Sequence, residues 1–142
     1  MDQADLQYLA DRLALQDVML RYAKGVDERD MTLYRSCFAD DAEFRGFGPD
    51  PIVGGDAWAA FVTEALAAYG PTQHLMTPQL ATVSGNRAQC RTDVQALHHM
   101  IEPEGEIFTL WATYETEMTR TEQGWKIQRH RLVPRGSKRE ML

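Results

Sequence analysis

An α+β domain, with N-terminal helices covering one face of a curved antiparallel sheet, is the fold class that the sequence predicts. Three observations lead there. At 142 residues the chain is one domain's worth, burying about 70% of its unfolded surface without needing disulfides or metals. Apolar residues recur at helical spacing through the first part of the chain, and after Pro71 the period changes to two. Helices followed by a meander make one sheet whose apolar face the helices must cover. A long sheet covered by only three helices leaves a pocket, so inward residues are either core or pocket lining.

The elements follow in order. Leu6, Leu9, Leu13, Val18, Tyr22 and Val26 place one apolar stripe on a long first helix. Asp30 reads as the N-cap of a short second helix through Met31, Leu33, Tyr34 and Cys37. Ala42 to Phe47 reads as a strand, closed by Gly48-Pro49-Asp50-Pro51. Asp56 is placed as cap of a third helix carrying Trp58, Phe61, Val62, Ala65, Leu66 and Tyr69, which Gly70-Pro71 ends. Short strands over Gln73–Met76 and Gln79–Val83 precede the Ser84-Gly85-Asn86 turn. In the long strand Ala88–Met100, the inward set is Cys90, Thr92, Val94, Ala96, His98 and Met100. After the Glu102-Pro103-Glu104-Gly105 loop, Phe108, Leu110, Ala112, Tyr114, Thr116 and Met118 point inward and Ile107 and Trp111 outward; a last strand runs from Trp125 to Val133.

Composition narrows the function. Fifteen basic against 21 acidic residues give a net charge of −6, which repels a phosphate backbone and argues against a nucleic-acid partner. The acidic, amphipathic N-terminus lacks the pattern of a secretory signal, and no run approaches the ~18 apolar residues of a membrane helix. Cys37 and Cys90 show no CxxC spacing and read as buried, reduced thiols, which predicts a cytoplasmic protein. Six of the 15 basic residues lie between Lys126 and Arg139. Leu132-Val133-Pro134-Arg135-Gly136-Ser137 also spells a thrombin cleavage sequence common in expression vectors, so the domain is placed at 1–134 and residues 135–142 are expected as a tail, disordered or vector-derived.

Four segments resemble the SnoaL-like family: Tyr22 to Asp30, Phe38 to Phe44, the pair Gln73-His74, and Gly124-Trp125-Lys126-Ile127. That family belongs to the superfamily of cone-shaped domains named after nuclear transport factor 2. The resemblance implies a cone in which three helices pack on a strongly curved, mostly antiparallel sheet enclosing a pocket. It also implies an aspartate at the end of the first helix and a histidine on the strand after the third, here Asp27 and His74, as in the family's dehydratases and dehydrochlorinases. A second histidine of the family falls at His98, or at His99 with a one-residue slip; the apolar company of His98 decides in its favour. A basic residue on the last strand falls near His130. Where the family's dehydratase carries tyrosines that hold a water, this chain has Val26 and Phe44, which argues against the same substrate.

Read without the family, Asp27 is equally suited to pairing with Arg29 or Lys24, and a single histidine on a strand is often plain core. The convergence of an acid and two histidines on one concave face favours chemistry. Asp27 accepting the Nδ1 proton of His74 leaves Nε2 as a base, with His98 or His130 placed to protonate a developing oxygen. The predicted reaction is therefore a lyase or isomerase step (dehydratase-, cyclase- or dehydrohalogenase-like) on a small apolar or aromatic molecule, with no cofactor. Tyr22, Phe44, Val94, Ala96, Leu110, Tyr114 and His130 are the expected pocket residues, while Trp58 and Tyr69 read as core. Two histidines and a carboxylate also suit iron, but no short ligand motif is present and no metal is expected. The alternatives are a non-catalytic binding domain and a structural subunit like the small subunit of a dioxygenase. A homo-oligomer, dimer or trimer, is expected through the outer sheet face at Trp111 and Ile107.

Overall fold

The computed structural model describes all of residues 1–142. Helix α1 spans Gln3–Asp27 and α2 Met31–Ser36; strands β1 (Phe38–Arg45) and β2 (Ile52–Val53) lead to α3 (Gly55–Leu66). The meander is β3 (Tyr69–Met76), β4 (Leu80–Ser84), β5 (Arg87–Met100), β6 (Glu106–Thr121) and β7 (Gly124–Met141). The sheet order is β2-β1-β7-β6-β5-β3, with β4 also on β5. All pairings are antiparallel except β1 with β7, which is parallel. No helix is long and apolar enough to cross a membrane.

The alternation read for β5 is observed from Cys90 to His98, whereas on β6 Ile107, Thr109 and Thr113 are buried on the side read as outward. Cys90, Thr92, Val94, Ala96 and His98 are buried, facing Thr116, Tyr114, Ala112, Leu110 and Phe108 across the β5–β6 ladder. Leu15, Val18, Met19, Tyr22 and Val26 of α1 complete this core. Asp11 is a buried carboxylate on α1. Arg120 grips it from β6 through both carboxylate oxygens (2.7 and 3.0 Å) while lying over the Trp125 ring, whose Nε1 also donates to Asp11.

The structure departs from the sequence reading at several element ends. In α1 the expected inward residues Leu6, Leu9 and Leu13 are exposed, because the helix carries two apolar stripes and the one beginning at Leu15 packs on the sheet. The N-cap of α3 is Gly54, and Asp56 instead pairs with Arg35 at 2.7 Å. Tyr69 to Pro71 belong to β3 rather than to α3. A register shift between Tyr69 and Thr72 accommodates Pro71, which has no N–H to donate. β1 begins at Phe38, four residues early, and the short β2 was not foreseen. β7 runs on to Met141, so residues 135–141, expected as a tail, pair along β6 from Trp111 to Glu106. They carry no alternating pattern because this end of β7 is exposed on both faces. On the outer face Trp111 stays open between Gln95 and Gly136, but Ile107, expected beside it, is buried.

Gly25 sets the approach of α1 to α2. A Cβ there would lie 2.8 Å from the backbone N of Tyr34 and 2.9 Å from its Cα. Alanine raises intrinsic helix stability by about 1 kcal/mol, yet a backbone neighbour cannot rotate away and overpacking costs about 1–3 kcal/mol. Gly25→Ala is therefore expected to destabilise the protein by up to about 2 kcal/mol net, read as a lower urea midpoint.

Candidate active site

Asp27 is the last residue of α1, where the chain leaves the helix through Arg29 in the left-handed region (φ 60°). The last carbonyls of a helix lack intrahelical partners and attract cations. Arg29 answers this by donating to Val26 O (2.8 Å), and it reaches on to Gly70 O (2.6 Å) and Thr72 Oγ1 (2.9 Å) on β3. Having accepted from Arg29, the Thr72 hydroxyl turns its proton to Asp27 Oδ1 at 2.9 Å. The backbone N–H of His74 donates to Asp27 Oδ2 at 2.8 Å, and His74 Nδ1 lies 2.7 Å from Oδ1. Three donors thus hold one carboxylate. Partial burial pushes the Asp27 carboxyl up, but the His74 and Thr72 hydrogen bonds outweigh it, leaving the pKa below the ordinary value.

An ionised Asp27 accepts only, so His74 Nδ1 carries the proton and Nε2 is the bare nitrogen. The His74 side chain is 9% exposed and lines a cavity of about 200 Å³. His98 lines the same cavity from β5, its ring 5.8 Å from that of His74 and at 77° to it. Its Nδ1 is 3.0 Å from Phe108 O. A carbonyl only accepts, so His98 also presents a bare Nε2. Burial lowers its pKa, partly offset by the Phe108 bond. At neutral pH this ring is therefore an acceptor, not the proton donor expected from the sequence. His99 falls on the opposite face, as the apolar alternation requires.

Of the expected pocket residues, Tyr22, Ala96, Leu110 and Tyr114 line the cavity and Phe44, Val94 and His130 do not. Phe44 stacks on the far side of Trp58, ring centroids 4.3 Å apart. Val94 is buried one inward position further along β5. His130 is closed in behind Tyr22 and Tyr114, its Nε2 3.1 Å from Tyr22 Oη and its Nδ1 3.2 Å from Thr116 Oγ1. It therefore does not converge with Asp27, His74 and His98 on one point. Trp58 and Tyr69, read as core, are walls of the cavity, and α3 roofs it with Phe61, Val62 and Leu66. Their helical spacing was visible; that they face a void was not, because periodicity names a face and not what lies opposite. Thr72 was missed for want of any pattern, and Arg29 was weighed only as an ion-pair partner of Asp27. No lysine or arginine lines the cavity.

The SnoaL-like domain family matches residues 7–131. The chain belongs to that family. Its cone is that of the nuclear transport factor 2-like superfamily. Among solved structures, a protein from Novosphingobium aromaticivorans, provisionally named an aromatic ring hydroxylase, shares 30% identity over 94% of each chain with a TM-score of 0.83. A type 2 hexachlorocyclohexane dehydrochlorinase shares 26% identity over 96% of this chain and 93% of its own, TM-score 0.87. A second Novosphingobium aromaticivorans protein, provisionally named a scytalone dehydratase, shares the fold at 19% identity over 95% and 91% of the two chains, TM-score 0.86. Comparison with curated proteins gives no match. The SnoaL-like fold of this chain therefore stands among dehydratase and dehydrochlorinase neighbours.

Proposed function

We propose that the protein is a lyase or isomerase that begins by removing a proton from carbon, using its own side chains and calling on no cofactor. The observation that carries this is the 2.7 Å contact of Asp27 with His74 Nδ1 behind a ring that faces an apolar cavity. His74 Nε2 takes the proton, and Asp27 stabilises the resulting imidazolium. The electron pair left on carbon then expels a leaving group from the neighbouring carbon, or moves onto a conjugated carbonyl oxygen. The first path is elimination; the second is isomerisation or aldol closure. A departing hydroxide takes up the proton that His74 has just abstracted and leaves as water, while a halide leaves as the anion; His98 Nε2 accepts a hydrogen bond from a substrate hydroxyl that stays in place.

The cavity selects the substrate. About 200 Å³ is less than the ~300–1,000 Å³ of drug-sized sites, which suits a single small ring. With no cation on the wall and a carboxylate at the dyad, an anionic substrate would be repelled. The substrate class is thus small, neutral, and apolar or aromatic. The test is proton NMR in D₂O on neutral cyclic ketones and hydroxy ketones, with chloride release from hexachlorocyclohexane isomers in parallel. Deuterium appearing at an acidic carbon, or chloride released, is the expected result. A ligand that binds tightly and neither exchanges nor turns over, across the whole panel, would replace the enzyme with a binding domain.

A further inference from the structure

The exposed side of α1 carries a second apolar stripe that the fold does not use. Leu6, Leu9, Leu13 and Leu20 are between 45% and 70% exposed. Their spacing of three, four and seven is that of the a and d positions of a two-helix seam. Gln16 holds the intervening d position and turns aside to accept from Gln79 N–H at 2.7 Å. The first ten residues, about two turns of α1 among them, have no buried member. A helical segment that short, standing alone in water, is marginal without cover. Four exposed leucines in one line make a contiguous apolar strip, and such strips are often functional surfaces.

What covers it is indicated by the charges at its ends. Along one line of the helix surface the residues read Asp2, Leu6, Leu9, Leu13, Gln16, Leu20, Lys24. This order is complementary to itself when reversed. We propose that α1 pairs antiparallel with α1 of a second copy of this chain, with Leu13 on the two-fold axis. Leu6 then meets the partner's Leu20, Leu13 the partner's Leu13, and Asp2 the partner's Lys24. The acidic first turn, Asp2 and Asp5, faces the basic last turns, Arg21 and Lys24, and the helix dipoles oppose one another. A parallel pair would set like charges together. The surface is distinct from the outer sheet face at Trp111.

Sedimentation velocity of the full chain between about 1 and about 50 μM is the test, a range that spans dissociation constants in the micromolar region. The wild type is expected to be a dimer and Leu13→Lys a monomer; Leu13 is 70% exposed, so the variant keeps its fold. Leu75→Lys, at another exposed leucine, should leave the dimer intact. Asp2→Lys should weaken it at least several-fold, and adding Lys24→Asp should restore it, which only the antiparallel register allows. Leu13→Cys should cross-link on oxidation. A monomeric wild type, or a dimer that survives Leu13→Lys and falls to Trp111→Lys, overturns the proposal. So does flotation of a monomeric wild type with phosphatidylcholine vesicles that Leu13→Lys abolishes, since the stripe would then meet lipid.

Discussion

Asp27→Asn is expected to lower kcat/KM by about 10³-fold, as far as His74→Ala does, within the ~10²–10⁴ attributable to a positioned base and its tautomer-fixing acid. The reason is geometric. The His74 backbone N–H, 2.8 Å from Asp27 Oδ2, pins the amide oxygen of the asparagine at that place. Its NH₂ must then take the position of Oδ1, where it donates to His74 Nδ1. The imidazole answers with the other tautomer, and the proton now on Nε2 faces the cavity. The ring is still there, but it is no longer a base. Groups that act as one unit are not additive, so the double variant Asp27→Asn/His74→Ala should be no worse than either single one. Nitrogen-15 NMR of the His74 ring should report the exchanged tautomer in Asp27→Asn before any substrate is added. A variant that keeps both the original tautomer and full activity would remove Asp27 from the mechanism.

The second large effect is on stability in mild acid. Burial of His130 between Tyr22, Tyr114 and Thr116 holds its pKa down at about 3, against 6.5 for the free side chain. Between those two values the unfolded chain binds a proton that the folded chain refuses. Stability is therefore complete above pH 6.5 and falls as the pH drops toward 3, by up to about 1.4 kcal/mol per pH unit from this one group. From pH 7 to pH 4.5 the loss amounts to roughly 2–3 kcal/mol. Urea denaturation at several pH values should show this slope in the wild type. His130→Phe will start from a lower stability, since Tyr22 and Thr116 lose a partner, but its slope should be shallower by one proton. Equal slopes in the two proteins would show that His130 does not carry the effect.

Much of this site was legible before the structure, and the pattern of what was not is instructive. Strict alternation along β5 was enough to choose His98 over His99, because a half-buried strand leaves no freedom of face. Asp27 and His74 were found through the family's motif, and the strand–helix geometry then explains their meeting. Thr72 was invisible, and Arg29 was weighed only as an ion-pair partner of Asp27, because their contribution is a set of hydrogen bonds made at a left-handed residue and a strand irregularity, neither of which has a periodic signature. The stripe on α1 was misassigned for a different reason. Leu6, Leu9 and Leu13 lie about 180° around the helix from the stripe that Leu15, Val18 and Tyr22 continue. Helical spacing detects both stripes and cannot rank them. His130 was drawn to the pocket by its chemistry, whereas burial among tyrosines makes it part of the interior.

The parallel pairing of β1 with β7 has a consequence for how the chain reaches this state. It joins Phe38 to Ile127 and Glu43 to Arg129, so it closes a loop of about 90 residues, an entropy cost near 4 kcal/mol by the logarithmic loop law. The β4–β5–β6–β7 hairpins close far shorter loops and can assemble first. Tyr34, Phe38 and Phe44 pack on Tyr22 of α1 and Trp58 of α3, but β1 gains its parallel sheet neighbour only once that ribbon exists. The hairpin ribbon is therefore expected to precede the β1–β7 pairing, the reverse of the order of synthesis. A chain truncated within β7 would lose the docking strip for β1, and with it the wall that seats Phe44 against Trp58.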